Sequence, residues 1–553
     1  MDNQRLILFL VFGFSLIMLW EAWQKQGHSV PVAGTPAAVT AQAPVGATGA
    51  AGSSGVPSLS SPSPGTPAIP GSTGEAKPAA MAKTVATTDL YIAEISSQGG
   101  DLNRLVLTRH KATEDKKQDF ILFEDKHAYA AQSGLIGAGL PNHKSLWTLP
   151  GDALTLKEGE NELRVRLTAM GEGGVRVAKT YVFKRGSYLI DVEYEIANGS
   201  GAAIAPHAYF QLTRDGKAPD GANAMMSTFT GPAFYTDADK FQKASFEEVA
   251  SKKAKVPGKT DNGWVAMVQH YFVSAWLPPK GEREYFLRET AKDLFAAGVI
   301  VPMAAVAPGA SDKLAMALYA GPQEQEKLAK MAPGFDLVVD YGWLTVIAAP
   351  IFWVLQWLHS FLGNWGWAII VLTVMLKAAF FPLSAASYKS MAKMRVLTPK
   401  LTKLKETYAD DKQRMNQEMM ELYKKEKVNP LGGCLPIMVQ IPVFIALYWV
   451  LLATVEMRGA PWLGWITDLS DKDPYFVLPL IMGVTMFIQT KLNPTPPDPM
   501  QAKVMMIMPI VFTGMFLFFP AGLVLYWTVN NVLSIAQQWQ VNRMIEAIGL
   551  KAH

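Results

Sequence analysis

The 553-residue chain has one cysteine, Cys434, and few charges. A lone cysteine excludes an intramolecular disulfide and any zinc or iron–sulfur centre built from several thiolates. No His is followed by Glu, so the HExxH metalloprotease pattern is absent, as are the P-loop and the EF-hand loop. Charged residues make up 18% of the chain, against about 25% in an average soluble protein. The net charge of +4 is too mild to point to nucleic acid, and neither DNA nor a cofactor is expected. Half of the residues are hydrophobic. Several of the apolar runs approach the roughly 20 residues that cross a bilayer. A purely soluble protein is excluded. So is a purely membranous one, because residues 89–335 alternate apolar and charged positions like a water-exposed domain.

Leu6–Trp20 is an apolar run behind Arg5. It ends in Leu19-Trp20-Glu21-Ala22-Trp23 with no small-x-small cleavage site, and interfacial tryptophans suit an uncleaved signal anchor over 1–26. A signal peptide that is removed is the alternative. Residues 27–88 read as a linker. From Ser29 to Gly74 there is no charged or aromatic residue and there are eight prolines, a composition that cannot bury enough apolar surface to fold.

Residues 89–335 read as one large β-sandwich. Leu163, Val165 and Leu167 alternate with Arg164 and Arg166, and Tyr188, Ile190, Val192, Tyr194 and Ile196 alternate with Asp191, Glu193 and Glu195. Period 2 with one wet face is a strand signature. Lys184-Arg-Gly-Ser187 suits the intervening turn, and 322–333 suits a closing helix. His110, His127, His143, His207 and His270 are scattered without ligand spacing. They read as ordinary surface or core histidines, and no metal site is expected.

Five further runs could span a membrane: Trp365–Leu383, Cys434–Val455, Tyr475–Thr490, Val504–Phe519 and Leu523–Ala536. Trp343–Leu358 is nearly as apolar. Charge placement separates it from the others. Between Ala385 and Pro430 lie eleven Lys/Arg, while 456–473 holds only Arg458 and Lys472. The positive-inside rule puts the first loop in the cytoplasm and the second outside. Because the anchor exports the soluble domain, an odd number of crossings must fall between 340 and 385. Trp365–Leu383 takes that crossing, and 336–362 becomes an amphipathic helix along the outer interface. Six spans with both termini cytoplasmic follow. Within the basic loop, Met394, Leu397, Leu401, Leu404 and Tyr408 step by 3 and 4, and Met415, Met419 and Leu422 continue the pattern. A helical hairpin over 385–430 is expected, with Pro399 kinking or starting a helix. Its charge either only fixes topology or makes a docking surface for an acidic or RNA-rich partner such as a ribosome.

Lys377 lies inside the run Ala368–Pro382. A lysine at mid-bilayer costs about 2.5–3.5 kcal/mol on insertion scales, so it either faces a polar cavity or snorkels to the headgroups. Thr373 is one turn away on the same face, and other runs add Gln440, Gln489 and Trp527 with Asn531. The five runs hold no acidic residue, which suits a transient anionic guest better than a proton pump.

Long motifs in order carry a resemblance: Asn364-Trp-Gly-Trp367, Tyr388-Lys-Ser-Met-Ala-Lys-Met-Arg395, Asp410-Asp-Lys-Gln-Arg414, Gln417-Glu-Met-Met420, Lys427-Val-Asn-Pro-Leu-Gly-Gly-Cys-Leu-Pro436, Gly483-Val-Thr-Met486 and Phe519-Pro-Ala-Gly-Leu-Val-Leu-Tyr526. Together with the overall plan they closely resemble the YidC membrane protein insertase family, in the Gram-negative form with a large outer domain. The resemblance implies a bacterial inner-membrane protein. Its helical core would have six transmembrane helices, five of them forming the insertase bundle at 363–553, beside an all-β periplasmic β-supersandwich related to sugar-binding folds. It implies insertion and chaperoning of nascent membrane proteins, alone or with the Sec translocon, through a hydrophilic groove open to cytoplasm and lipid, without enzymatic activity. Membrane lipids and the ribosome are further implied partners. Lys377, Thr373, Gln440, Gln489 and Trp527 would line the groove, with Pro436, Val439, Phe516 and Phe518 on the substrate's slide into lipid. Two departures stand out. The family usually has Arg at the position of Lys377, so charge is kept but bidentate recognition is not. The C-terminal tail is short, with only Arg543 and Lys551 basic, which shifts any ribosome contact to the 385–430 hairpin. A small-solute transporter or channel is the alternative function. It would call for inverted repeats and paired intramembrane charges, and the sequence displays neither.

Overall fold

The computed structural model describes residues 82–220, 228–408, 411–426, 435–493 and 499–547, with Pro57 besides. The expected signal anchor, most of the linker, the segment Lys427–Cys434 and the end of the tail with Lys551 lie outside the described residues.

The β region is a sandwich of a ten-stranded and an eight-stranded sheet, both largely antiparallel, closed over one apolar core. It begins earlier than the expected boundary at 89. Lys83–Thr87 is already a strand, paired antiparallel with Tyr91–Ser96. The reason is local: Thr84 and Ala86 are fully buried and alternate with more exposed neighbours. The alternating strands are Glu162–Met170 and Leu189–Ala197. Val165, Leu167, Ile190, Val192, Tyr194 and Ile196 reach the core with no exposure. On the wet face Arg164 meets Glu193 at 3.2 Å and Arg166 meets Glu195 at 3.1 Å. The turn after Lys184 uses Gly186 at φ 68°, a conformation that suits glycine. The closing helix is Gln325–Met331.

Eight longer helices follow: α1 (Thr345–Leu362), α2 (Trp365–Ala379), α3 (Phe381–Thr407), α4 (Lys412–Lys425), α5 (Leu435–Ala453), α6 (Val477–Leu492), α7 (Pro499–Phe516) and α8 (Ala521–Ala547). α8 packs on α6, α2, α3 and α5 and is the hub of the bundle. α2 and α3 meet at a 64° bend, where Pro382 opens α3. α3 and α4 form the expected basic hairpin, closed by Leu397, Leu401 and Tyr423 with Met394, Met419 and Leu422. Pro399 does not start a helix: α3 runs through it. Its exposure lets water satisfy the carbonyl that loses its N–H partner.

By length and composition alone, Gly342–Leu362 is the one described helix that could cross a bilayer unaided. Trp365–Ala379 with Phe381–Met391 passes as a bent pair, and Met438–Ala453, Val477–Leu492 and Ala502–Phe516 are apolar but shorter. Gly342–Leu362 contains the run expected at the outer interface. α1 packs along α2 and α5. Val338 and Asp340, just before α1, line a small cavity with Trp449 and Ala453 at the end of α5. Near its other end, His359 stacks on Trp365 at 4.1 Å, beside Asn364, which donates to the Pro461 and Trp462 carbonyls at 3.0 and 3.4 Å.

The connection from Thr454 to Phe476 ties the helices to the sandwich. Arg458 lies over the rings of Phe120, Tyr271 and Phe272 at 5.3–5.6 Å, and Lys116 bridges Asp468 and Asp471 at 3.0 and 2.9 Å. His270 donates to the Leu452 carbonyl at 2.8 Å. Glu456 accepts from the Gln325 backbone at 3.4 Å. Loss of solvent, with Glu324 and Glu326 nearby, pushes its carboxyl up to about 7.

Two predictions follow from this packing. A carboxyl raised above its unfolded value adds stability at low pH and loses it as pH rises through the folded value. The thermal midpoint should therefore fall between about pH 5 and pH 8, and Glu456→Gln should flatten that fall. Two motif glycines sit where helices touch. A Cβ on Gly366 would collide with the Trp462 ring, and one on Gly483 with Thr513. Gly366→Ala or Gly483→Ala should each cost about 1–3 kcal/mol, the range for overpacking, measurable as a lowered midpoint in detergent.

Candidate functional site

α8 carries a polar stripe through an otherwise apolar bundle. Trp527, Asn530, Asn531, Ser534, Gln537 and Gln538 recur at helical spacing, so they share one side of the helix. Asn530, Asn531, Ser534 and Gln538 are buried. Buried polar groups in such surroundings need partners, and each helix around α8 supplies one.

From α2, the Lys377 ammonium donates to the Ser534 hydroxyl at 2.7 Å, and Ser534 donates onward to the Asn530 carbonyl at 2.7 Å. Gln537 reaches the Lys377 carbonyl at 3.5 Å. From α3, Tyr388 donates to the Ser534 carbonyl at 3.4 Å, with Ser384 and Ser387 buried nearby in the chain. From α6, Thr485 accepts from Asn531 at 3.2 Å, and the Leu492 carbonyl accepts from Gln538 at 3.1 Å. From α5, Gln440 donates to the Tyr526 hydroxyl. Three polar atoms of α8 are buried without a partner: Trp527 Nε1, Gln537 Oε1 and Gln538 Oε1. They are points where water or a guest could bind.

The expected groove residues therefore divide. Lys377 is half-buried where α2, α3 and α8 meet. Thr373 is 1% exposed and spends its hydroxyl on the Ile369 carbonyl at 2.7 Å, so its oxygen is already committed within α2. Gln440 and Trp527 lie further along α8, where the Trp527 indole packs edge-on against Phe444 at 4.6 Å and beside Phe516 at 5.6 Å. Gln489 is half-buried one turn beyond Thr485 on α6. Among the expected slide residues, Phe516 turns inward: it is 1% exposed within a cluster of Phe444, Phe512, Phe519 and Trp527. Phe518 is exposed and Val439 half-buried, and the Pro436 side chain lies outside the described residues. The exposed apolar face of α7 is instead Val504, Ile507, Ile510 and Val511, and that of α5 is Met438 and Ile441.

Sequence reading picked out Trp527 and Asn531 but passed over Asn530, Ser534, Gln537, Gln538 and Tyr388. The signal was available as the repeat of polar residues every three to four positions after Tyr526. Chemically the site offers one cation with several hydroxyls and amides.

Two family models match the chain. That of the YidC periplasmic domain covers residues 83–354 and that of the 60Kd inner membrane protein covers 357–548. A membrane protein insertase YidC of Aromatoleum aromaticum is 62% identical over 561 residues, covering 99% of this chain and 98% of that protein. Another from Dechloromonas aromatica is 60% identical over 559 residues, covering 100% and 99%. A crystal structure of an active YidC insertase with its first transmembrane domain resolved has a TM-score of 0.40 and 18% identity, covering 82% of this chain and 91% of that one.

Water access distinguishes a pocket from a packed polar seam. In a Cys434→Ser background, Lys377→Cys should react with a charged maleimide at least about tenfold faster than Thr373→Cys, since thiolate reactivity follows exposure. Equal rates, followed by mass spectrometry, would mean that the pocket is closed.

Proposed function

The chain belongs to the YidC family of membrane protein insertases, and we propose that it inserts its substrates by way of the polar pocket around Lys377. It is an inner-membrane protein with a periplasmic domain and a helical core. Its substrates are newly made membrane proteins. The observation that supports the pocket is a single ammonium, half-buried between α2 and α8, whose partner is a hydroxyl.

Polar side chains from α2, α3 and α8 draw water partway into the bilayer and shorten the apolar path that a substrate's outer segment must cross. Lys377 attracts acidic residues of that segment. The substrate's apolar helix then leaves along the exposed faces of α5 and α7, from Met438 and Ile441 to Ile507, Ile510 and Val511, with the exposed Phe518 just beyond α7. Transfer of that helix into lipid, at about 25 cal/mol per Å² of apolar surface, drives the step. No covalent bond is made or broken, so the reading is non-enzymatic.

The topology belongs to the same proposal. The sandwich, α1 and the 454–476 connection share the outer side. Arg458 and Lys116 join sandwich to connection, Val338 and Asp340 just before α1 line a cavity with His270 and Tyr271 of the sandwich, and Asn364 just after α1 donates to the Pro461 and Trp462 carbonyls of the connection. This favours α1 along the outer interface despite its spanning length. α2 starts at this side and leads into the basic hairpin of α3 and α4, which accordingly faces the cytoplasm. A first span over 1–26 and the five helices α2 and α5–α8 give six crossings with both termini cytoplasmic. The hairpin is the proposed ribosome contact. A partnership with the Sec translocon rests on the family alone.

In reconstituted vesicles, Lys377→Gln should slow insertion of a single-span substrate with an acidic outer segment by roughly tenfold, what about 1.4 kcal/mol of lost attraction gives. Lys377→Arg should retain insertion. Full activity of Lys377→Gln would sink the proposal.

A further inference from the structure

A second polar cluster lies in the sandwich, away from the helices. Glu124, His127 and Asp220 bring one ligand-capable atom each within 4.8 Å of one another. His127 is 5% exposed and sits in the short 3-10 turn Asp125–His127, which ends at Ala128 in the left-handed region at φ 45°. Asp215 closes the strand His207–Asp215 and reaches back to it: Asp215 Oδ1 lies 3.0 Å from His127 Nδ1.

That contact decides the tautomer. A carboxylate beside Nδ1 needs a proton there, so the neutral ring presents a bare lone pair at Nε2. Nε2 is buried and has no hydrogen-bond partner among the described residues. It faces Asp220 Oδ1 at 3.8 Å and Glu124 Oε1 at 4.0 Å, and neither ionised carboxylate can donate to it. A doubly protonated ring does no better, because an Nε2–H would have both acceptors beyond hydrogen-bond reach. One kind of ligand satisfies a buried imidazole lone pair and two carboxylates together, and that is a cation between them. The Asp215–His127 contact is also the carboxylate–histidine arrangement that orients imidazole ligands on metals.

We propose that Glu124, His127 and Asp220 form a binding site for a divalent transition-metal ion of the zinc class, oriented by Asp215. One imidazole and two carboxylates match that class, with a fourth position left for water. Bonds of about 2.0–2.1 Å in a tetrahedron set ligand atoms roughly 3.3 Å apart, so each carboxylate must close on Nε2 by about half an ångström. The site has a built-in competitor. Lys126 holds both Asp220 oxygens at 2.5 and 2.6 Å. Its side chain is largely exposed, so it can swing away when the metal binds. The bound ion would tie the residues that follow His207–Asp215 to the turn between Asp119–Phe123 and Ala130–Ile136.

The test uses the full-length, untagged protein in detergent, stripped with chelator and titrated with Zn²⁺ by calorimetry. One equivalent should bind. Asp215→Asn should weaken binding by about 10- to 100-fold, the range for losing an orienting partner. His127→Ala and Asp220→Asn should abolish it, and Lys126→Ala should tighten it. Asp220 is half exposed, so Asp220→Asn tests the site even if His127→Ala fails to fold. Cys434→Ser should bind as the parent does. No uptake by the parent protein, or equal uptake by folded His127→Ala and Asp220→Asn, would overturn the proposal.

Discussion

A charge set among apolar helices must be either paired or wetted, and Lys377 meets a hydroxyl rather than a carboxylate among the described residues. An acid at that position would form a buried ion pair and close the site, since pairing satisfies a buried charge. A hydroxyl satisfies one N–H and leaves the charge uncompensated. The rest of the bundle follows from keeping that state tolerable. The Ser384–Tyr388 stretch opens α3 beside α2, α8 turns its polar stripe toward both, and the bend at Phe380 brings the two helices onto one side of α8. Aromatic packing of Phe444, Phe516 and Trp527 then seals the polar stripe further along the same helix.

The outer side depends on a different kind of contact. Arg458 is surrounded by aromatic faces, and Lys116 holds two aspartates, so cation–π and ionic contacts fasten the 454–476 connection to the sandwich, alongside Val455, which is buried in the sandwich's own apolar core. Such contacts are directional and salt-sensitive. They hold the start of α2 through Asn364 and Trp462, so the registration of the pocket helix is set from the outer side of the bundle. Gly366 matters for the same reason, because it lets the Trp462 ring lie directly on α2.

What the sequence made legible depended on contrast. The strands around Val165 and Val192 alternate buried apolar with exposed charged residues, and period 2 is then unmistakable. The hairpin seam at Leu397 and Leu401 shows for the same reason against its basic surroundings. Phe516 had no such contrast. α7 is apolar on every face, so nothing in its pattern tells the inward phenylalanine from the outward Ile510, and only packing against Trp527 decides it. The strand Lys83–Thr87 was hidden by the featureless stretch before it, although Thr84, Val85 and Thr87 are β-branched. The α8 stripe was missed because polar residues near the end of a span read as its exit into water. Their partners lie 45 to 160 residues away in the chain. The approach of Asp220 to Glu124 and His127 is likewise made by strand pairing, which no local spacing announces.

The lysine at 377 is consistent with the geometry around it. An ammonium has three N–H groups on a flexible stem, whereas a guanidinium is a rigid planar fork. Ser534 takes one N–H and is itself fixed by donating to the Asn530 carbonyl. The remaining two are free to follow a passing carboxylate without a required angle of approach. An arginine would bind one carboxylate more tightly and release it more slowly. In the proposed insertion pocket, whose guest must leave into lipid, a point charge held by a neutral hydroxyl would attract without retaining, with Ser534 holding the ammonium in place.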